Sequence, residues 1–304
     1  MAEDSMSIFV AIPSLIDLEL PYTIMSAMQN ADNPKEITVG VSAFMDKNFY
    51  NDVLYKINGL KNVIVDRYDP EQSQGVGQAR ILSQLRYSGQ DNILQCDAHV
   101  YFEKGWDTKL KELWTEAAEE TNNEKTLLTA YLPSYKRRNG KLYIKDNIAR
   151  YSKFEQRNDL DFHNIIPWTD MPLNEFPQKI EKKFVPAQKI SGSFVFSNHH
   201  YVEKNDHLKS VKFFDEEIIH TIELFSRGFS MVFPNTNLPI YHYYWIDLDD
   251  RFRQIATWTG EEQDHSMNIY TQNNDWKCRL WEQYAHVNIV NRSFEEWYVP
   301  INYR

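Results

Sequence analysis

Residues 94–110 read LQCDAHVYFEKGWDTKL, and this stretch decides how the rest of the chain is read. Asn92–Cys96 is apolar enough for a buried strand, and it runs straight into Asp97-Ala98-His99. A helical pattern opens at Trp106 and continues to Glu119. Alternate side chains of an extended chain share a face, so Asp97 and His99 point the same way and can grip one ion. A carboxylate oxygen beside an imidazole nitrogen suits Mn²⁺, or a similar divalent cation that must also hold phosphate oxygens. The bland alternative is an aspartate that merely caps the turn after a strand.

Working outward, the same strand-then-helix alternation fills the first 130 residues. Strands are expected at Ser7–Ile12 (ended by Pro13), Ile37–Ser42, Asn62–Asp66, Asn92–Cys96 and Thr126–Tyr131. Helices are expected at Leu20–Ala31, Asn48–Gly59, Gly75–Ser88 and Trp106–Glu119. Such alternation reads as βαβ units around a mostly parallel sheet. Ligands of these sheets bind outside the carboxyl ends of the strands, so the informative places follow Ile12, Ser42, Asp66 and Cys96. A second α/β portion follows, with strands near Ser193–Phe196, Phe229–Phe233 and Ile240–Tyr244 and a helix over Glu216–Ser226. The last 60 residues are helical or irregular, and they hold five of the eight tryptophans, which read as core.

Composition bounds the function. Hydrophobic residues make up 42% of the 304 and charged residues 25%, so a disordered or fibrous chain is excluded. A formal charge of −10 excludes a generally basic nucleic-acid or lipid binder. One segment departs from that balance. Lys136, Arg137, Arg138, Lys141, Lys145, Arg150, Lys153 and Arg157 are opposed only by Asp146 and Glu155, with Tyr135, Tyr143, Tyr151 and Phe154 interleaved. Bases among aromatics can neutralise phosphates and stack exposed nucleobases, although a solvated basic loop has the same composition. Two cysteines, Cys96 and Cys278, imply no disulfide framework. The acidic N-terminus lacks a secretory pattern, and no run approaches the roughly 18 apolar residues of a membrane span. The expectation is a soluble cytoplasmic protein with no membrane contact and no obligate protein partner.

Several ordered blocks together resemble a known family. Asp97-Ala98-His99, five residues, then Gly105-Trp106 resembles the metal-binding segment of retaining GT-A glycosyltransferases that transfer N-acetylgalactosamine or N-acetylglucosamine to polypeptides. Gly75-Val76-Gly77-Gln78-Ala79-Arg80 is similar to their glycine–x3–Ala-Arg helix start. The opening Ile8–Ser14, with Asp17, Glu19 and Thr23-Ile24, looks most like the cytoplasmic polypeptide α-N-acetylglucosaminyltransferases (glycosyltransferase family 60). Phe213–Ile218 resembles their Phe-x-Gly-Glu-Glu segment, with Asp215 in place of the glycine. Pro239–Tyr244 resembles the late histidine segment that carries the third metal ligand. The second strand ends Val41-Ser42-Ala43, without the acidic residue that the N-acetylgalactosaminyltransferases use toward uracil.

The resemblance implies a GT-A, Rossmann-like α/β domain over residues 1–250, with a mixed, mostly parallel sheet flanked by helices. Residues 251–304 would be a helical, aromatic extension packed on it. It implies Mn²⁺ or Mg²⁺ held by Asp97, His99 and His242. It implies a nucleoside-diphosphate sugar, a UDP-sugar first, bound by Pro13, Ser14, Asp17, Arg80, Asp97, Gly192, Arg251 and Arg253. Glu216 and Glu217 would be the catalytic or sugar-contacting carboxylates, with retention of configuration. Read from their residues alone, both glutamates equally suit a helix N-terminus, and His242 suits an aromatic core. His199, His200, His207 and His220 read as surface or packing groups. The acceptor is a macromolecular hydroxyl. A protein Ser, Thr or hydroxyproline fits the family. A hydroxymethylated base in DNA fits similar bacteriophage enzymes acting in the host cytoplasm, with Arg137, Arg138, Lys141 and Tyr143 as its contacts. A catalytically silent sugar-nucleotide or carbohydrate binder is the alternative from another class.

Overall fold

The computed structural model describes residues 6–138, 141–145, 147–154, 168–171, 182–202, 209, 211–212, 216–244, 273–274 and 277. The proposed extension from 251, with Arg251 and Arg253, lies outside them, apart from residues 273, 274 and 277. So do the boundary at 250, Phe213–Asp215, Asp146, Glu155, Arg157, His207 and Cys278.

Four strands make the first half of the central sheet: β1 (Ile8–Leu15), β2 (Ile37–Phe44), β3 (Val63–Tyr68) and β4 (Asn92–Cys96). They pair in parallel in the order β3-β2-β1-β4. α1 (Leu20–Gln29), α2 (Lys47–Lys56) and α3 (Val76–Gln84) connect them, as the alternating sequence pattern predicts. β1 and β4 are buried on both faces, which is why β1 opens as a continuous apolar run, while β4 buries Asn92 and Gln95 among its apolar residues. β1 runs past the expected stop at Pro13. Its pairing with β4 ends at Ala11, so Pro13 sits where β1 has a neighbour on one side only, a setting in which a strand tolerates proline.

β5 (Val100–Phe102) and α4 (Trp106–Thr121) follow, then β6 (Thr126–Thr129). The chain next leaves the sheet for two small ribbons. One pairs β7 (Tyr135–Arg138) with β8 (Lys141–Ile144), and the other pairs β9 (Tyr151–Phe154) with β10 (Trp168–Met171). It returns through β11 (Phe184–Pro186), β12 (Phe194–Asn198), α5 (Glu216–Ser226) and β13 (Ser230–Pro234). These complete an eight-stranded sheet in the order β11-β13-β6-β12-β4-β1-β2-β3, with β12 antiparallel to both β4 and β6. The sheet is mixed and mostly parallel, with helices on its faces.

Because β12 runs backwards, the residues just before it, 191–193, lie at the same edge as the carboxyl ends of β1, β4 and β6. α5 precedes β13, which is parallel to β6, so its N-terminus returns to that edge as well. The last strand, β14 (Ile240–His242), is shorter than expected and does not join the main sheet. It pairs antiparallel with β5, which the sequence reading did not anticipate, since each is three residues long and the partners are some 140 residues apart. Trp106 of the recognised segment is fully buried, and its indole N–H donates to the Ala27 carbonyl at 2.9 Å. It locks α4 to α1 beneath the site. Among the described residues no helix is long and apolar enough to cross a membrane.

Candidate metal and donor site

Asp97, at the end of β4, and His99, two residues on, are joined by His242 from β14. One ligand atom from each lies within 4.8 Å of the others, the one such group found among the described residues. The β5–β14 pair creates this meeting, since it places His242 opposite Val100. His242 N–H also donates to the Pro133 carbonyl and Tyr243 N–H to that of His99, pinning the histidine segment on both sides. The turn carrying Asp97 and His99 is fixed from below by Thr23. Its hydroxyl lies 2.7 and 2.8 Å from the Ala98 and Val100 carbonyl oxygens and accepts the Val100 N–H.

Each side chain of the group has an orienting partner. Asp17, in the loop after β1, contacts His99 Nδ1 at 2.7 Å, which leaves Nε2 as the ligand atom. A carboxylate behind a histidine in this way fixes the ring and strengthens it as a donor to metal. His242 Nε2 lies 3.2 Å from Asp97 Oδ2, while its buried Nδ1 has no hydrogen-bond partner among the described residues. Arg80 of α3, 2% exposed, directs all three guanidinium nitrogens at protein oxygens. They reach Asp97 Oδ1 at 2.9 Å, Glu216 Oε1 at 3.2 Å and the Cys96 carbonyl at 3.3 Å. Arg80 therefore braces Asp97 from behind.

Charge follows from these contacts. Burial alone would push the Asp97 carboxyl upward, but Arg80 and the two imidazoles outweigh it and hold the group far below the usual carboxylate range. Burial disfavours protonated His99, yet Asp17 and Asp97 override it and raise the imidazole to about 9. His242 is lowered, chiefly by burial. Glu216 is raised by burial, against the pull of Arg80.

The paired glutamates diverge. Glu216 is buried against Arg80. Glu217 takes the Gly192 N–H on one oxygen at 2.7 Å and meets the Lys189 ammonium and the Tyr131 hydroxyl with the other. Gly192 makes room for the Glu216–Arg80 pair, since a Cβ there would come within 2.6 Å of Glu216 Oε2 and 2.9 Å of Arg80 Nη2 and force them to shift. The glycine that opens α3 is constrained too. Gly75 has φ +118°, and a Cβ would meet the backbone of Lys212 at 2.5 Å. Val76 and Gly77 N–H groups donate to the Lys212 and Val211 carbonyls, so that helix start is tied to protein. Pro13 and Ser14 end β1 at the same sheet edge, where the Ser14 hydroxyl is buried and without a partner among the described residues.

The β7–β8 hairpin leaves the sheet beside the metal-ligand group, with Ser134 bridged to His242. Of the residues expected to meet an acceptor, Lys141 and Tyr143 are exposed, and Arg138 is paired in register with Lys141. Arg137 instead turns inward, donating to Glu19 Oε2 at 3.0 Å and stacking 4.1 Å from the Tyr22 ring centroid. His220 is buried and stacks at 5.2 Å with Tyr201, while His199 is exposed and His200 half-buried, so none of them joins the metal-ligand group. Sequence reading missed Lys189 and Tyr131. A lone lysine in the apolar stretch Phe184–Phe196 carries no periodic or spacing signal.

A family model described as glycosyltransferase (GlcNAc) matches residues 55–274, more than two thirds of the chain. A crystal structure of GalNAc-T7 with UDP, GalNAc and Mn²⁺ superposes with a TM-score of 0.60 at 13% identity, over 93% of this chain and 51% of that one. The chain thus spans about half the length of that neighbour. S. aureus TarS in complex with UDP-GlcNAc aligns over 96% of this chain and 78% of that chain, at 12% identity and a TM-score of 0.46. No curated protein sequence matches. The sheet order, the carboxylate–histidine group at its edge and the family match lead to one conclusion: the chain belongs to the GlcNAc glycosyltransferase family.

Proposed function

We propose that this protein is a metal-dependent glycosyltransferase that moves a sugar from a UDP-sugar to a hydroxyl of a macromolecular acceptor, with the retention that the family resemblance implies. The observation that carries this reading is the convergence of Asp97, His99 and His242 at the carboxyl edge of the sheet. One oxygen and two nitrogens, backed by Arg80 and Asp17, fit a divalent cation such as Mn²⁺ or Mg²⁺. Such a cation supplies charge compensation to a diphosphate leaving group. The chain's own residues do the rest. Arg80 keeps Asp97 ionised and aimed, and Asp17 keeps His99 in one tautomer. Pro13 and Ser14 border the nucleotide side, where the unpartnered Ser14 hydroxyl suits a nucleotide or phosphate oxygen. Glu217 faces the transferred sugar. Arg251 and Arg253, outside the described residues, keep the diphosphate-binding role that the family resemblance implies.

The acceptor comes over the β7–β8 hairpin, whose root is bridged to a metal-ligating histidine. Exposed Lys141, Tyr143 and Lys145 suit a polyanion with an accessible ring, which favours a hydroxymethylated base in DNA. Exposed Ile144 and Ile148 on the same segment favour a peptide hydroxyl as the second reading. UDP-GlcNAc, UDP-GalNAc and UDP-glucose assayed against hydroxymethylated DNA and a hydroxyl-rich protein mixture separate the two. Metal-dependent turnover that vanishes in Asp97→Ala is expected. Donor binding without turnover on any pairing would make the protein a silent sugar-nucleotide binder instead.

A further inference from the structure

A lysine with no solvent exposure sits beside the paired glutamates that open α5. The Lys189 side chain is 0% exposed, in the connection between β11 and β12. Its ammonium meets the Glu217 carboxylate and lies 2.6 Å from the Tyr131 hydroxyl. That hydroxyl also donates to the same Glu217 oxygen, closing a three-membered ring of polar groups. The other Glu217 oxygen takes the Gly192 N–H at 2.7 Å. The carboxylate is held from both sides, and its side chain still keeps 17% exposure.

A buried ion pair is a poor source of stability, because desolvating two charges offsets most of their attraction. Replacing both partners by apolar residues would cost little, so what the pair contributes is orientation of the Glu217 carboxylate. The neighbouring carboxylate behaves otherwise. Glu216 is 3% exposed and bound to Arg80, which in turn holds Asp97. Gly192 lies between the two glutamates, giving its N–H to Glu217 and leaving the space that a Cβ would take from Glu216. One helix start thus supplies a strut for the metal side and a ligand-facing group.

We propose that Lys189 and Tyr131 are positioning residues that present Glu217 to the donor sugar and so set which sugar is accepted, an inference that rests on the donor reading above. With three protein donors already on it, the carboxylate offers acceptor lone pairs only. Its ligand must bring O–H or N–H groups, as sugar hydroxyls and an acetamide do. Diphosphate oxygens bring no donor to Glu217, and they would find their counter-charge in a cation held by Asp97, His99 and His242. A donor whose hydroxyl is misplaced loses this acceptor after giving up its hydrogen bond to water, so a fixed carboxylate discriminates between sugars by where their hydroxyls stand.

The test is calorimetric titration of the full chain, in Mn²⁺, with UDP, UDP-GlcNAc and its C4 epimer UDP-GalNAc. Glu217→Gln and Lys189→Met are expected to shrink the wild-type preference between the epimers by about tenfold. Tyr131→Phe, the mildest change, is expected to shrink it several-fold, and it carries the test should Lys189→Met not fold. The Kd for UDP is expected to stay within about twofold throughout. Equal weakening of UDP and both UDP-sugars would show a merely structural network and overturn the proposal. Failure of the wild type to bind any of the three would instead overturn the donor reading, and this inference with it.

Discussion

The candidate metal-ligand end of the sheet and the β7–β8 hairpin meet where Ser134 is bridged to His242 and Tyr135 packs against Tyr243, yet they are built on opposite terms. Around Asp97 the charged groups are buried and mutually held, with Arg80 and Glu216 at 2% and 3% exposure. Along the hairpin Lys141, Tyr143, Ile144 and Lys145 are exposed. A site that compensates a leaving group needs donors fixed before the reaction begins. Lys141, Tyr143 and Ile144 keep much of their surface in solvent, so less of the fold depends on where they are placed. Substitutions at the two ends should therefore differ in kind.

The largest effect is expected from Arg80→Met, which leaves the buried Glu216 and the half-buried Asp97 without their common partner. The loss should be about 3–5 kcal/mol, read by urea unfolding. A loss near zero would mean that the buried end is not held as described. Gly192→Ala comes next, because its Cβ would push Glu216 and Arg80 apart. It should destabilise by about 1–3 kcal/mol, with donor turnover falling further than stability alone explains.

Asp17→Asn sharpens the comparison without emptying the core. It removes the carboxylate behind His99 and should weaken Mn²⁺ binding by about 10–100-fold. Proton linkage gives a second readout. His99 is raised from 6.5 to about 9, so the pair's contribution to metal-free stability is complete below about 6.5 and is lost as pH rises through about 9. Asp17→Asn should flatten that slope. At pH 7.5, Mn²⁺ binding by the wild type should release close to one proton, measured by calorimetry in buffers of different ionisation enthalpy. The smallest effect on stability is expected at the hairpin. Lys141→Glu should shift unfolding by no more than about 0.5 kcal/mol. It should still weaken polyanion binding and reduce its salt dependence.

Much of the buried end is legible in the sequence because its elements are local. Asn92–Cys96 running into Asp97-Ala98-His99 is a strand and its ligand in one stretch, and Gly75 through Arg80 marks a helix start. What joins them is not local. β5 and β14 are short partners far apart in sequence, and only their pairing brings His242 to Asp97. Arg137 illustrates the converse. In sequence it belongs to a basic run, but in the fold it turns under Tyr22 to Glu19. The Lys189–Tyr131–Glu217 ring joins three separate segments and leaves no spacing signal in any of them.

The most direct test of the central claim is UDP-sugar turnover followed across a Mn²⁺ titration of metal-stripped protein, beside Asp97→Ala and His242→Ala. Activity that rises with one Mn²⁺ per chain and is lost in both variants is the predicted result. Undiminished turnover by the wild type in excess chelator, or by either variant, would contradict it.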